Sequence, residues 1–148
     1  MNNDPAPQTL IPLIVADLFE LAGAFRDHGE GIAQTVGQTQ ARWQVMSAAS
    51  GGTLTVPQIA RRLGVSRQNV QRIADLLVDE GSAAFAGNPD HKASPYLALS
   101  KGGHAALAGI NKAAAAYHAR IARRLAGADI KSLHRQLRRL LEAAADTP

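Results

Sequence analysis

Five side chains that can hydrogen-bond to nucleic-acid bases fall within six positions of this chain: Arg67, Gln68, Asn69, Gln71 and Arg72. They sit in the stretch TLTVPQIARRLGVSRQNVQRIADLLVDEG, residues 53–81. Arg, Asn and Gln are the side chains that read base edges in a DNA major groove, and Arg also binds phosphate. Ser66 can cap the helix that carries them, which presents the N–H groups of Arg67 and Gln68 to a phosphate. Arg62, just before the turn, adds a further cation to the same candidate DNA-contacting set. The chemistry this spacing points to is recognition of duplex DNA.

Two short helices must position these groups. Thr55 can cap the first, and Gln58 three positions on completes a capping box. Pro57 falls in the first turn, where a missing N–H costs little. Ile59, Ala60 and Leu63 form the inner face. Gly64 supplies the left-handed position that ends the helix. In the second helix Val65, Val70, Ile73 and Leu77 can face inward, leaving the polar set outside. A helix fits the major groove, so the segment reads as a helix-turn-helix. The alternative is a helical hairpin that only packs and carries a solvated polar face.

A β-hairpin is expected next. Ala83–Ala86 and Tyr96–Leu99 are short uncharged runs, and Gly87, Asn88, Pro89 and Asp90 signal a turn between them. His91 and Lys92 would sit near its tip and reach the DNA backbone or minor groove. The other reading is an ordinary surface hairpin. Ser100 can cap the helix that follows.

The words LTVPQIARRLGVSRQNVQRIADLLVDEG and NPDHKASPYLALSKGG resemble the MarR (multiple antibiotic resistance regulator) family of winged helix-turn-helix transcription factors. The resemblance covers nearly the whole chain. It implies a mostly α fold with an α+β wing: one domain over residues 1–148, a winged lobe over 38–100, and dimerisation helices over 1–37 and 101–148. It further implies a homodimer on a pseudo-palindromic site, released by a small ligand. The chain departs from the family at the wing. An Asp-x-Arg pattern is common there, whereas Asp90 is followed here by His91, Lys92 and Ala93. Lysine is a compact point charge without the fork of arginine.

The flanks read as helices. A pattern of Leu13, Ile14, Val15, Leu18, Leu21, Ala22 and Phe25 begins near Thr9, after Pro7. Gly29 and Gly31 are expected to kink or end that helix. A second runs from about Gln40 to Ser50, with Trp43, Met46 and Ala49 inward. An alanine-rich helix extends from Lys101 to about Ala126, roughly 39 Å at 1.5 Å per residue. Its seam is Leu107, Ile110, Ala114, Tyr117 and Ile121. After Gly127 a last helix carries Ile130, Leu133, Leu137, Leu140 and Ala144. Seams of this kind call for a partner helix, either within the monomer or in a symmetric dimer.

Composition narrows the classes. The net charge is +4 and the pI near 10.0, which favours a polyanionic partner. Residues 1–52 hold 2 basic and 5 acidic side chains, 53–101 hold 6 and 4, and 102–148 hold 8 and 3, for nets of −3, +2 and +5. With no cysteine, disulfides, thiolate metal sites and thiol-based sensing are excluded. No apolar run is expected to span a membrane, and the start lacks the basic region of a signal peptide. The expected compartment is the cytoplasm. No cofactor site and no catalytic constellation emerge, and the Gly clusters match no phosphate loop. Asp27 and His28 with His118 fit no metal-ligand spacing. The chain is therefore read as a non-enzyme.

An effector pocket is a further expectation, since the resemblance places one between the dimer helices and the winged lobe. Residues that could line it are His28, Arg42, Trp43, Met46, Tyr117 and Arg120, although Trp43 also suits the core and Arg42 and His28 suit solvent. The partners expected are double-stranded DNA, a second copy of the chain and a small effector, with no membrane. Two alternatives remain: a winged-helix module that binds protein, and a sequence-indifferent architectural DNA-binding protein. Salt dependence and the ratio of specific to non-specific affinity separate them.

Overall fold

The computed structural model describes residues 5–145. It contains α1 (Pro7–Gln34), α2 (Gln40–Ala49), β1 (Leu54–Thr55), α3 (Val56–Leu63), α4 (Arg67–Asp79), β2 (Ala83–Ala86), β3 (Tyr96–Leu99), α5 (Lys101–Arg124) and α6 (Ile130–Ala145). The fold is the winged helix-turn-helix: mostly helical, with one small antiparallel sheet. Contacts divide the chain into two compact units, one reaching to Ala114 and one starting at Ala115.

The first unit holds the core. Val45, Met46 and Ala49 of α2, Ile59 of α3, Val70 and Leu77 of α4, Leu97 of β3 and Ile110 of α5 are all essentially inaccessible to water. Trp43 is buried among them, and its indole Nε1 donates to Asn111 Oδ1 at 3.0 Å, tying α2 to α5. The sheet has the order β1-β3-β2, with Leu97 paired to Phe85 on one side and Leu54 on the other. Ser100 closes its base. It donates from Oγ to the Gly81 carbonyl at 2.7 Å and accepts from the Gly103 N–H at 3.1 Å, capping α5.

Three expectations change. α1 does not stop at its glycines but continues to Gln34. Gly29 is there for space: a Cβ would lie 2.9 Å from Gln40 Cγ and 3.7 Å from Trp43, so α2 packs where a side chain would stand. Val65 does not face inward but is 43% exposed. It precedes the Ser66 cap, so it lies outside the helical repeat that buries Val70 and Ile73. Finally, α1, with 28 residues, is by length and composition long and apolar enough to cross a membrane. The acidic residues Asp17 and Glu20 interrupt the apolar run in sequence, but the unbroken helix counts them within one long segment. A carboxylate at a bilayer centre costs about 2.5–3.5 kcal/mol.

The second unit contains the end of α5 and all of α6. α6 buries none of its residues. Ile130, Leu133, Leu137 and Leu141 are exposed along it. In α1, Leu10, Ile14, Leu18, Leu21 and Phe25 recur on one exposed face, and Phe19, 78% exposed, lies on the opposite one.

Candidate nucleic-acid interface

The approach to α4 is built as its residues require. The Thr55 hydroxyl accepts from the Gln58 N–H at 3.4 Å, and Gln58 Oε1 accepts from the Thr55 N–H at 2.8 Å. This capping box starts α3. Gly64 ends it at φ 65°, a left-handed conformation that glycine adopts without a Cβ penalty. Ser66 Oγ then accepts from the Asn69 N–H at 3.2 Å. That leaves the N–H groups of Arg67 and Gln68 at the open, positive end of the helix.

Val70, Ile73, Ala74 and Leu77 hold α4 in the core. Their position forces Gln68 and Arg72, one turn apart, onto the opposite face. Arg67, Gln68, Gln71 and Arg72 are exposed and Asn69 is half-buried. Two side-chain bonds organise this surface. Arg72 Nη2 donates to Asn69 Oδ1 at 3.1 Å, and Gln71 Nε2 donates to Asp75 Oδ1 at 2.8 Å. Charge is graded along the helix. Arg67 and Arg72 lie in its first half, whereas Asp75, Asp79 and Glu80 lie toward its end. The N-terminal half of α4 is therefore its more positive half.

The wing loop is ordered by Asn88. Its Nδ2 donates to the Ser94 carbonyl at 2.9 Å, and its Oδ1 accepts from the Asp90 N–H at 3.0 Å. His91 and Lys92 are exposed within that loop. Between the wing and the start of α3 lies an open cleft of about 430 Å³ with Arg61, His91, Asp90 and Tyr96 on its walls. Arg61 had no place in the sequence-derived set, whereas its neighbour Arg62 did. Adjacent residues differ by about 100° around a helix, and only the placement of the wing shows which one faces the cleft.

The six candidate effector-lining residues are not gathered in one cavity of the first unit. Met46 is fully buried, and Trp43 is bound to Asn111. Arg42 is held in a bidentate pair, donating from Nη1 and Nη2 to the two carboxylate oxygens of Glu80, while its Nε donates to Gln38. The guanidinium beside Glu80 holds that carboxyl below its ordinary value. The His28 ring is on the surface of α1, its Nδ1 2.9 Å from the Ala24 carbonyl. Tyr117 and Arg120 belong to the second unit, where the guanidinium stacks over the ring at 5.4 Å. A second opening in the first unit is a groove of about 420 Å³. Its walls include Phe25 and Arg26 of α1, Gln44 of α2, Val65 from the turn, and Asn69 and Ile73 of α4.

Comparison with known proteins agrees with this architecture. A model described as the MarR family matches residues 37–94. An uncharacterized protein of Mycobacterium tuberculosis is 47% identical over 133 residues, covering 90% of this chain and 93% of that protein. Among solved structures, a mutant MarR from E. coli complexed with operator DNA superposes with a TM-score of 0.67 at 20% identity, covering 93% of this chain and 99% of that one. A MarR family protein of Mycobacterium tuberculosis in complex with salicylic acid gives a TM-score of 0.60 at 20% identity, with coverages of 97% and 99%.

Proposed function

Because this chain belongs to the MarR family, we propose that it is a DNA-binding transcription regulator that represses from a pseudo-palindromic operator as a homodimer. The observation that carries the reading is the exposed start of α4: a Ser66-capped helix end that presents Gln68, Asn69 and Arg72 away from a core anchored by Val70, Ile73 and Leu77. In this reading α4 enters the major groove and the wing, tipped by Lys92, follows the backbone. No step of it is catalytic, and its place is the cytoplasm, with the chromosome. Support for the family role comes from the E. coli relative solved with operator DNA.

Assembly rests on the exposed apolar residues of α1 and α6. A helix that is apolar on several sides needs cover, and a second copy of the chain supplies it. The carboxylates of α1 favour that cover over a bilayer.

An effector has a place in the groove beside Asn69. Its walls are largely apolar with Arg26 as the cation, which suits a small amphipathic acid, and the relative solved with salicylic acid supports that chemistry. Filling the groove would load the base of the reading helix directly.

The test is equilibrium binding of full-length protein to fragments selected from random duplex DNA, measured by fluorescence anisotropy across a salt series. The expected result is an affinity for the selected site at least 1,000-fold above that for random sequence, on the order typical of specific binders, falling steeply with salt. Equal affinity for all sequences would make the protein architectural. No salt dependence would make the winged lobe a protein-binding module.

A further inference from the structure

We propose that Asn69 and Arg72 act as a single reading unit and that the base edge they select is guanine. The inference rests on the DNA-binding reading above and names what one part of that interface recognises. Arg72 Nη2 donates to Asn69 Oδ1 at 3.1 Å. This bond turns the Asn69 carbonyl toward the guanidinium, and the amide Nδ2, with its two N–H donors, is left on the far side. The remaining guanidinium N–H groups are donors as well. The pair therefore shows an approaching base an array of donors beside a positive charge.

Guanine offers the matching edge, because N7 and O6 are both acceptors. Adenine offers N7 as an acceptor and N6 as a donor, and asparagine reads it by accepting from N6 while donating to N7. Here one lone pair of the oxygen that would accept is engaged by Arg72, which turns it toward the guanidinium, and the N6 donors would face a cation. The same unit thus favours guanine and penalises adenine, so discrimination has an attractive and a repulsive part.

Two further observations keep the guanidinium available. Arg72 forms no ion pair within 4.0 Å among the described residues. Asp75, the carboxylate three positions on, is instead engaged by Gln71 Nε2 at 2.8 Å. The backbone beneath Asn69 is fixed by its N–H bond to Ser66 Oγ, and its side chain stands against the groove that Leu63, Val65 and Ile73 help to line. One partner of the unit is anchored and carries the other.

The experiment selects bound fragments from random duplex DNA with the full-length protein and with Asn69→Ala, Arg72→Ala and Arg72→Lys. Far-UV circular dichroism and the thermal midpoint of each variant are compared with the wild type to show that α4 remains formed. The wild type should enrich a guanine at one fixed position of each half-site. Asn69→Ala should lower the preference for guanine over adenine there by about tenfold. Arg72→Ala frees the Asn69 oxygen and should turn that position to adenine. Arg72→Lys keeps the charge without the fork and should lose the guanine preference while retaining the salt slope. Motifs unchanged in both alanine variants would overturn the unit and leave the DNA-binding reading standing. Loss of guanine in Arg72→Ala with none in Asn69→Ala would make Arg72 a lone reader and overturn it equally. A wild type that enriches no sequence would overturn the underlying reading and the unit with it.

Discussion

At the scale of residues, the proposed reading divides recognition among the exposed polar side chains of α4. Gln68 is exposed and faces away from the core, so Gln68→Ala should leave the fold intact. At the selected site it should cost about 1–3 kcal/mol of binding and relax base choice at one position. Titrations of matched and mismatched duplexes measure both, and an unchanged preference would take this side chain out of the groove. Lys92 acts differently. It is an exposed point charge on a loop that Asn88 orders, and in the proposed interface it would meet a phosphate. Lys92→Ala should weaken binding to all sequences alike and reduce the salt slope by about one. A shift in base preference at constant slope would mean that the wing reads bases. Residue types and spacing made much of this legible in advance, because capping and helical repeat are local rules. Thr55, Gln58, Gly64 and Ser66 obey them without help from distant parts of the chain. What could not be read was which side chains bond each other. The pairings of Arg72 with Asn69 and Gln71 with Asp75 depend on rotamers, and the bond of Arg42 to Glu80 joins residues 38 positions apart.

At the scale of elements, the last example has consequences. Arg42 near the start of α2 holds Glu80 at the end of α4, and Gln38 braces the guanidinium from behind. The pair fixes the trailing end of α4 against α2. Since Glu80 has its folded pKa lowered below the ordinary 4.5, the stability it contributes is complete above that value and is lost as the pH falls through the lowered one. Glu80 is 48% exposed, so water screens the interaction, and Glu80→Gln should cost no more than about 1 kcal/mol at neutral pH. Denaturant titrations across pH should show the gap to the wild type closing as the carboxylate protonates. A constant gap would assign the loss to something other than charge. The start of α5 is set by space. A Cβ on Gly103 would meet the Ser82 carbonyl oxygen at 2.0 Å, a backbone atom that cannot swing aside. Gly103→Ala should destabilise the first unit by about 1–3 kcal/mol, as overpacking commonly does, and an unaltered denaturation midpoint would mean that α5 is seated elsewhere. Neither Gly103 nor Gly29 announces this role in the sequence. A glycine in a helix reads as a breaker, and only the approach of Ser82 or Gln40 shows that it makes room. The two-residue strand β1 was equally invisible, being too short for any alternation to register.

At the scale of the whole molecule, the unresolved question posed by the sequence was where so much apolar surface goes. Among the described residues it stays outside. Phe19 is 78% exposed, Leu13 61%, Leu141 56% and Leu133 49%. Exposed apolar side chains of this kind are what a protein interface would cover. The charge of the two flanks adds direction, since residues 1–52 carry a net of −3 and residues 102–148 a net of +5, and oppositely charged segments of two copies attract. We therefore expect sedimentation velocity at micromolar concentration to give a dimer. Leu21→Asp combined with Leu137→Asp places carboxylates on both apolar faces, and each carboxylate buried without a partner would cost several kcal/mol. The double variant should sediment as a monomer whose first unit still folds, because neither residue belongs to the core that Met46, Ile59, Leu77 and Leu97 form. Its affinity for a half-site should survive. Its affinity for the full palindrome should fall by a factor of 100 or more, on the order of the gain that joining two lobes provides. A wild-type monomer that binds the palindrome tightly would overturn the dimer. It would also leave α1 and α6 needing a different cover, and the membrane-length apolar stretch of α1 would then be the first place to look for one.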